Sequence, residues 1–224
     1  MLTIEKTVLP SPEQWEIVIE GMRNPMNSWD MMDSHVCKYI GEVECVECEL
    51  RGCYSLGEKD RKLMTSLNKG GTEHSKYRRM LPVWVTVNAP LYWWKEADTY
   101  TIGKVQNSCS TMHKIHAKEF TLNDFSLEHL NKEDLYIFEA YMHCLEANRK
   151  YFLAFADSEE KKEFWYRMIQ LLPTSYNQKR TLMVNYEVLA KMYRERKNHK
   201  LDEWHVFCDW IKTLPYSELI TMEE

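Results

Sequence analysis

The chain has 224 residues, of which 44% are hydrophobic and 28% are charged, and it contains seven glycines and seven prolines. This composition excludes the disordered and fibrous classes, and the length predicts a single globular domain spanning 1–224. The formal charge of -5 gives no overall basic field, which makes duplex nucleic acid a poor partner and favours small molecules or other proteins.

No apolar run in the sequence reaches the roughly 18 residues that a membrane span needs, and residues 1–10 lack the pattern of a signal peptide. We therefore expect a cytoplasmic protein with no membrane partner. Seven cysteines form an odd set, which favours free thiols over a disulfide framework in such a chain.

The N-terminal half of the sequence predicts short strands and helices. Residues 3–10 alternate like a strand, and Ser11 then has the position of a helix N-cap. Residues 36–50 indicate a strand or an extended loop. Residues 58–71 predict a helix with acids in its first turn, and the valine alternation within 80–90 predicts the clearest strand.

Beyond Phe120 the apolar residues recur about every 3.6 positions, which predicts helices. The predicted helices cover 134–155, 158–172, 181–196 and 202–213. No internal repeat or linker separates these elements. The predicted class is therefore α+β and helix-rich.

Four cysteines, Cys37, Cys45, Cys48 and Cys53, fall within seventeen positions. Cys45 and Cys48 have the spacing of two zinc ligands, but the other two do not form a second close pair. A zinc site and free thiols in a strand and turn are both open, and we favour the thiols, with no metal. The sequence also lacks the glycine-rich, P-loop, nucleophile-elbow and zincin motifs, which excludes several common enzyme classes.

Four residues of the predicted helix 181–196 form one stripe, because Asn185, Leu189, Met192 and Arg196 are spaced at three and four positions. A stripe that faces a core should not end in arginine, since burying an unpaired guanidinium costs several kcal/mol. Arg196 therefore reaches solvent, pairs with an acid, or faces an anionic ligand.

Several segments follow one another in a recognisable order. EKDRKLMTSLNKGG precedes the strand VWVTVNAP, and LLPTSYNQKRTLMVNYEVLAKMYRER precedes DEWHVFCDWI. In this order, residues 55–214 resemble the flavin-dependent thymidylate synthases. The resemblance implies a helix-rich α+β fold with a small central twisted β-sheet packed by long helices. It also implies a homotetramer whose sites lie between subunits and bind FAD and dUMP.

The resemblance implies the residues of the nucleotide site. Arg196 takes the place of the arginine that polarises the dUMP pyrimidine and stabilises charge developing on the ring, which makes it the predicted catalytic residue. Ser110 matches the serine of the family's signature loop, and the signature glutamate falls at Ser108. Ser108, Ser110 and Arg196 are thus the predicted substrate-binding residues.

The resemblance also implies a set of flavin contacts. Asn107 matches the asparagine of the signature loop, and Asn185 takes the place of a flavin-contacting asparagine. Lys95 is a cation in the same stretch. Trp94 could stack on a flavin or base, or could instead be a core or interface anchor, as is common for tryptophan. The predicted cofactor-binding residues are therefore Asn107, Asn185, Trp94 and Lys95.

The sequence departs from the family pattern where positive charge is expected. Residues 99–101 read Thr-Tyr-Thr in place of the family's Arg-His-Arg. A further arginine of the family falls near Met112 of this chain, and another falls at Glu187. These changes remove most of the charge that would hold phosphates. Basic residues that could replace some of it are Lys95, Lys104, His113 and Lys114.

Three hypotheses follow. The first is an enzyme that transfers folate-derived carbon to dUMP with reduced flavin as hydride donor, Arg196 as electrostatic activator and no covalent protein nucleophile. The second is a non-catalytic module that keeps the fold and binds a nucleotide or another macromolecule. The third is a different fold, in which the matches are accidental.

Overall fold

The computed structural model describes residues 1–37, 53–156 and 159–222. Helices account for most of the ordered elements in these ranges. They are α1 (Pro12–Arg23), α2 (Glu58–Lys69), α3 (Leu91–Ala97), α4 (Lys132–Ala154), α5 (Glu159–Leu171), α6 (Tyr186–Arg196), α7 (Asp202–Lys212) and α8 (Glu218–Thr221).

The strands of the same ranges form two sheets. In chain order the strands are β1 (Thr3–Val8), β2 (His35–Val36), β3 (Tyr54–Ser55), β4 (Pro82–Pro90), β5 (Val105–Ser108) and β6 (Asn177–Asn185). The larger sheet has the strand order β1-β4-β6-β5, and β2 pairs antiparallel with β3. This architecture confirms the predicted helix-rich α+β class with a small sheet.

Local sequence signals explain several boundaries. The Ser11 hydroxyl accepts a hydrogen bond from Gln14 N at 3.3 Å, and the Gln14 side-chain oxygen Oε1 accepts one from Ser11 N at 2.8 Å, so a complete capping box begins α1. Strand β4 begins at Pro82, which has no N–H to donate. Its predicted inward valines are buried, as alternation requires.

The prediction of a helix from 181 was wrong over its first five residues. Residues 181–185 belong to β6, and α6 begins only at Tyr186. The buried residues of β6 are Gln178, Leu182 and Val184, which alternate with period two. This alternation indicates a strand, but the sequence analysis extended the helical repeat of 3.6 residues over it and so predicted a helix.

The Cα positions group into two compact units. The first contains residues 1–3, 87–99 and 107–180, and the second contains residues 4–86, 100–106 and 181–224. That all of these residues form a single domain stays a prediction. None of the described helices is both long enough and apolar enough to cross a membrane.

The first unit has a core beneath helices α4 and α5. Its buried apolar residues are Ile115, Phe120, Phe125, Leu145, Met168 and Tyr176. At the edge of this core, Glu146 receives hydrogen bonds from Arg149 Nη2 at 2.6 Å and from Phe120 N at 3.2 Å. Burial alone would raise the pKa of Glu146, but these hydrogen bonds outweigh it and lower the pKa.

The second unit is built around Trp15, which is completely buried. The Trp15 ring stacks on Tyr54 at 6.0 Å and meets Tyr186 edge to face at 5.8 Å. The same unit contains a buried ion pair, in which Arg23 Nε lies 2.6 Å from Asp60 Oδ1. The other carboxylate oxygen of Asp60 accepts hydrogen bonds from Ser34 N and Oγ.

Candidate functional site

Arg196 is the last residue of α6, and its side chain is oriented by a tyrosine from a distant part of the sequence. The Arg196 Nε donates a 2.9 Å hydrogen bond to the Tyr100 hydroxyl, which donates in turn to Glu195 Oε2 at 2.7 Å. Tyr100 is buried, and burial followed by the Glu195 carboxylate raises its pKa to about 12. The hydroxyl therefore stays protonated at neutral pH and couples the guanidinium to Glu195.

Two aromatic rings support the same guanidinium. The Arg196 Cζ lies 5.0 Å from the Trp204 ring centroid and 5.6 Å from that of Tyr100. Both distances fall within cation–π range. Because Arg196 is half-buried and held in this way, its guanidinium has a fixed direction rather than the freedom of a surface arginine.

Asn185 is the N-cap residue at the other end of α6, and its amide oxygen accepts a hydrogen bond from Val188 N at 3.0 Å. This oxygen caps the helix, so a ligand contact from Asn185 would use its amide nitrogen. The loop at Gly103 lies close by, with φ +76°, and a Cβ there would be 3.0 Å from Asn185 Nδ2. Glycine is required at this position both for its backbone angle and for its lack of a side chain.

Glu187, which replaces an expected arginine, has a partner that the sequence did not reveal. Arg78 is 1% exposed, and its Nε lies 2.8 Å from Glu187 Oε2. Arg78 also donates to Ser75 Oγ at 3.1 Å. The negative charge of Glu187 in the first turn of α6 is therefore balanced by a buried cation, and it also suits the helix dipole.

The predicted signature loop belongs to the first unit. Asn107 and Ser108 are the last residues of β5, and both are exposed. The Ser110 hydroxyl accepts hydrogen bonds from Met112 N at 3.3 Å and from His113 N at 2.9 Å. Ser110 therefore shapes the turn of the loop, while its own O–H proton can still be donated.

Trp94 lies on α3 and is a core residue. It is completely buried, and its Nε1 donates to Gln178 O at 2.8 Å. The Arg180 Cζ lies 4.4 Å from the centroid of its ring. Of the two alternatives for Trp94 the structure supports the core anchor, since a flavin stacked on that face would have to displace Arg180. The neighbouring Lys95 is exposed.

Arg180 is a basic residue of the site region that was not predicted. Its Nη1 donates to Asp98 Oδ1 at 2.9 Å, and its Nε donates to Gln178 Oε1 at 2.9 Å. Because Arg180 follows the buried Gln178 by two positions in β6, strand alternation would have placed both on one face of the sheet.

The predicted site residues thus fall into two groups. Asn185 and Arg196 occupy opposite ends of α6 in the second unit, roughly 16 Å apart along the helix axis. The first unit holds the remaining predicted residues, which are Trp94, Lys95, Asn107, Ser108 and Ser110.

The predicted cysteine pair Cys45 and Cys48 lies outside the described residues. Within residues 1–37, 53–156 and 159–222, histidine, cysteine, aspartate and glutamate side chains form no group of three that could hold a metal. Cys208 is buried, and burial raises the pKa of its thiol to about 11, so it is protonated at neutral pH.

Solved structures resemble this chain over almost its entire length. One is a structure of the flavin-dependent thymidylate synthase ThyX from Helicobacter pylori complexed with FAD and dUMP. Its TM-score is 0.61 and its sequence identity 15%, over 98% of this chain and 97% of that chain. The chain has the fold of the flavin-dependent thymidylate synthases.

Two further structures agree. Another structure of Helicobacter pylori ThyX with FAD and dUMP has a TM-score of 0.60 and 14% identity, covering 99% of both chains. A UMP/dUMP methylase, PolB from Streptomyces cacaoi bound with 5-Br dUMP, has a TM-score of 0.57 and 12% identity, over 99% of this chain and 94% of that one. Neither a protein-family model nor a curated protein sequence matches the chain.

Proposed function

We propose that the protein binds a pyrimidine nucleoside monophosphate of the dUMP class and modifies its ring. The observation that carries this proposal is the orientation of Arg196 by the Tyr100 hydroxyl and the Trp204 ring. Preorganised donors stabilise developing charge without reorganisation during the reaction. A guanidinium held in one direction suits a pyrimidine carbonyl on which negative charge accumulates.

The roles of the remaining substrate residues follow from their positions. The Ser110 hydroxyl accepts two backbone N–H groups, so its O–H proton can be directed to a phosphate or a base oxygen. Ser108 is exposed at the end of β5 and offers a second hydroxyl. Substrate binding by Ser108 and Ser110 stays a prediction, and the thermal-unfolding experiment tests the role of Arg196.

The residues predicted for FAD fit it less well than Arg196 fits a nucleotide. Asn185 uses its amide oxygen as a helix cap, and the ring of Trp94 is covered by Arg180. Lys95 is the one cation in the predicted set, whereas a pyrophosphate is usually held by several charge-assisted hydrogen bonds. We therefore derive no step through a flavin and treat FAD as a ligand to be tested.

Thermal unfolding with and without ligand tests the proposal. At a dUMP concentration one hundred times its Kd, binding adds about 2.7 kcal/mol, and Tm should rise by roughly 5–11 °C. Arg196→Ala should remove this shift. Arg194→Ala deletes an exposed arginine from the same helical turn and should preserve it.

The ligand panel also separates the competing functions. If the Tm of the wild-type chain rises with none of the three ligands, dUMP, UMP and FAD, the nucleotide proposal is refuted. Retention of the dUMP shift in Arg196→Ala would remove Arg196 from the site.

A non-catalytic nucleotide-binding or interaction module is the second candidate, because Tyr100 occupies the centre of the missing basic triplet and is itself buried against Arg196. Release of tritium from dUMP labelled at C5, with methylene-tetrahydrofolate and reduced FAD supplied, distinguishes the two. Tight dUMP binding without release would identify the non-catalytic module.

A further inference from the structure

A cavity of about 600 Å³ opens beside helix α7 in the second unit. The described residues that line it are Tyr193, Lys197, Asn198, His199, His205, Cys208, Asp209 and Lys212. Arg196 is not one of these residues, and neither are Tyr100 and Trp204, which orient it. The volume lies within the range of roughly 300–1,000 Å³ that is usual for small-molecule sites.

Two stretches of helical backbone form the walls of this cavity. His205, Asp209 and Lys212 are spaced at four and three positions, which places them on one side of α7. In the other wall, Lys197 N donates to Tyr193 O at 2.9 Å, so Lys197 lies one helical turn beyond Tyr193. Because both walls are helical, the lining side chains project from a backbone whose positions are fixed before a ligand binds.

The lining carries more positive than negative charge. Lys197 and Lys212 contribute two ammonium groups, whereas among the described lining residues Asp209 contributes the one carboxylate. Lys212 Nζ donates to Asp209 Oδ1 at 2.9 Å. This contact compensates the acid and uses one of the three N–H donors of Lys212, so a positive excess remains in the cavity.

The sequence beside the cavity adds to this excess. Residues 191–200 contain five lysines and arginines and one acid, Glu195, whereas the chain as a whole has a formal charge of -5. Glu195 is also the acid that accepts from the Tyr100 hydroxyl. Since charges act over roughly 8 Å at physiological salt, this cluster of cations attracts anions towards the cavity.

Two histidines of the lining are oriented by contacts at Nδ1. His199 Nδ1 accepts a hydrogen bond from Leu201 N at 3.2 Å, so the neutral ring carries its proton on Nε2. His205 Nδ1 lies 3.7 Å from Asp202 Oδ1. Each imidazole has at least one N–H donor whether neutral or charged. Cys208 adds no competing negative charge, since its buried thiol is protonated at neutral pH.

We propose that this cavity binds a small sugar phosphate, with the phosphate group between Lys197 and Lys212 and the hydroxyl groups towards Asn198. A phosphate monoester carries about 1.5–2 negative charges at pH 7, which suits two ammonium groups better than a single carboxylate does. The cavity holds far more than a phosphate ion, since a water molecule occupies only about 30 Å³ in the liquid. Its polar lining favours a ligand rich in hydroxyl groups. The site does not depend on nucleotide binding at Arg196.

Calorimetric titration with ribose 5-phosphate tests the proposal. The wild-type chain should bind one molecule, and ribose without the phosphate should not bind. Inorganic phosphate should bind about tenfold more weakly, because it forms no hydroxyl contacts with Asn198. A wild-type chain that does not bind ribose 5-phosphate would overturn the proposal. Equal affinity for inorganic phosphate would show a site for the free ion and overturn the assignment of a sugar phosphate.

Charge variants test which residues hold the phosphate. Lys197→Met should weaken ribose 5-phosphate binding about tenfold, because it removes a charged donor. Asp209→Asn removes the acid beside the phosphate but keeps an oxygen acceptor, so binding should become tighter, which partial unfolding cannot produce. Lys62→Met is the control, since Lys62 is exposed on α2 and pairs with Glu58. Wild-type affinity in Lys197→Met, or no gain in Asp209→Asn, would refute the assigned contacts.

Nuclear magnetic resonance locates the bound molecule. Ribose 5-phosphate should shift the ring resonances of His199 and His205 but not those of His143, which is exposed on α4 in the first unit. An excess of dUMP should not reverse these shifts, because dUMP retains a single sugar hydroxyl. Unshifted rings at both cavity histidines, or displacement of ribose 5-phosphate by dUMP, would exclude a separate site in this cavity.

Discussion

Replacing Tyr100 by phenylalanine removes one oxygen atom from the best-defined interaction of the candidate site. The lost hydroxyl accepts from Arg196 Nε at 2.9 Å and donates to Glu195 Oε2 at 2.7 Å. Glu195 is exposed, so water can replace its hydrogen bond, whereas Arg196 is half-buried. Since a hydrogen bond to a charged group contributes about 1.5–3 kcal/mol, we expect the unfolding free energy to fall by roughly 1.5–2 kcal/mol.

The stability and the affinity should fall together. For a chain of this length each kcal/mol shifts Tm by roughly 2–4 °C, which gives a decrease of roughly 3–8 °C for Tyr100→Phe. If the misaligned guanidinium contributes about 1.4 kcal/mol less to the binding free energy, the Kd for dUMP increases about tenfold. Urea unfolding followed by circular dichroism and titration calorimetry with dUMP measure the two effects.

Tyr166→Phe is the matched control, because Tyr166 is 47% exposed on α5. Its unfolding free energy should remain within about 0.5 kcal/mol of the wild-type value. If Tyr100→Phe is as stable as this control and binds dUMP equally well, the Tyr100 hydroxyl does not position Arg196, and the reasoning from that contact is refuted.

Three further predictions concern the described residues. Asp60→Asn leaves the Arg23 charge buried and should cost about 3–5 kcal/mol in urea unfolding; a loss below 1 kcal/mol would contradict it. Because the pKa of Glu146 is lowered in the folded state, its carboxylate stabilises the fold at pH values above the unfolded pKa of about 4.3. This contribution to the unfolding free energy should be lost as the pH falls through the lower folded pKa, and Glu146→Gln should lack this pH dependence. Gly103→Ala should lower the unfolding free energy by more than the roughly 1–2 kcal/mol of left-handed backbone strain, because the new Cβ would lie 2.9 Å from Val188 Cγ2. Gly71→Ala is the control, since Gly71 also has a positive φ of +84° but a Cβ there would meet no atom within 4 Å. Equal losses in the two variants would show that the contact with Val188 has no effect.

Much of the fold could be predicted because its signals are local. The valine alternation of β4 and the capping residue of α1 each determine an element within a few positions. Strand β6 was missed because Leu182 and Val184 also fit a helical repeat when the stretch is joined to the true helix that follows. Short apolar runs of this kind satisfy both periods.

The candidate site was less predictable because its decisive contacts join distant positions. Arg196 could be selected from its place in a helical stripe, but nothing near it in the sequence indicated Tyr100. In the same way, Glu187 was interpreted as a lost arginine, whereas its pairing with Arg78 is a long-range contact. Local patterns select chemically unusual residues, and only the tertiary structure identifies their partners.

Asn185 and Arg196 lie at the two ends of one continuous helix, and this limits which ligands could contact both of them. An α-helix is stiff, so the two side chains stay separated by three turns whatever binds to either of them. Along the helix axis the two positions are roughly 16 Å apart. If both residues contact ligands, either one ligand extends along most of that length or each end of the helix binds a ligand of its own.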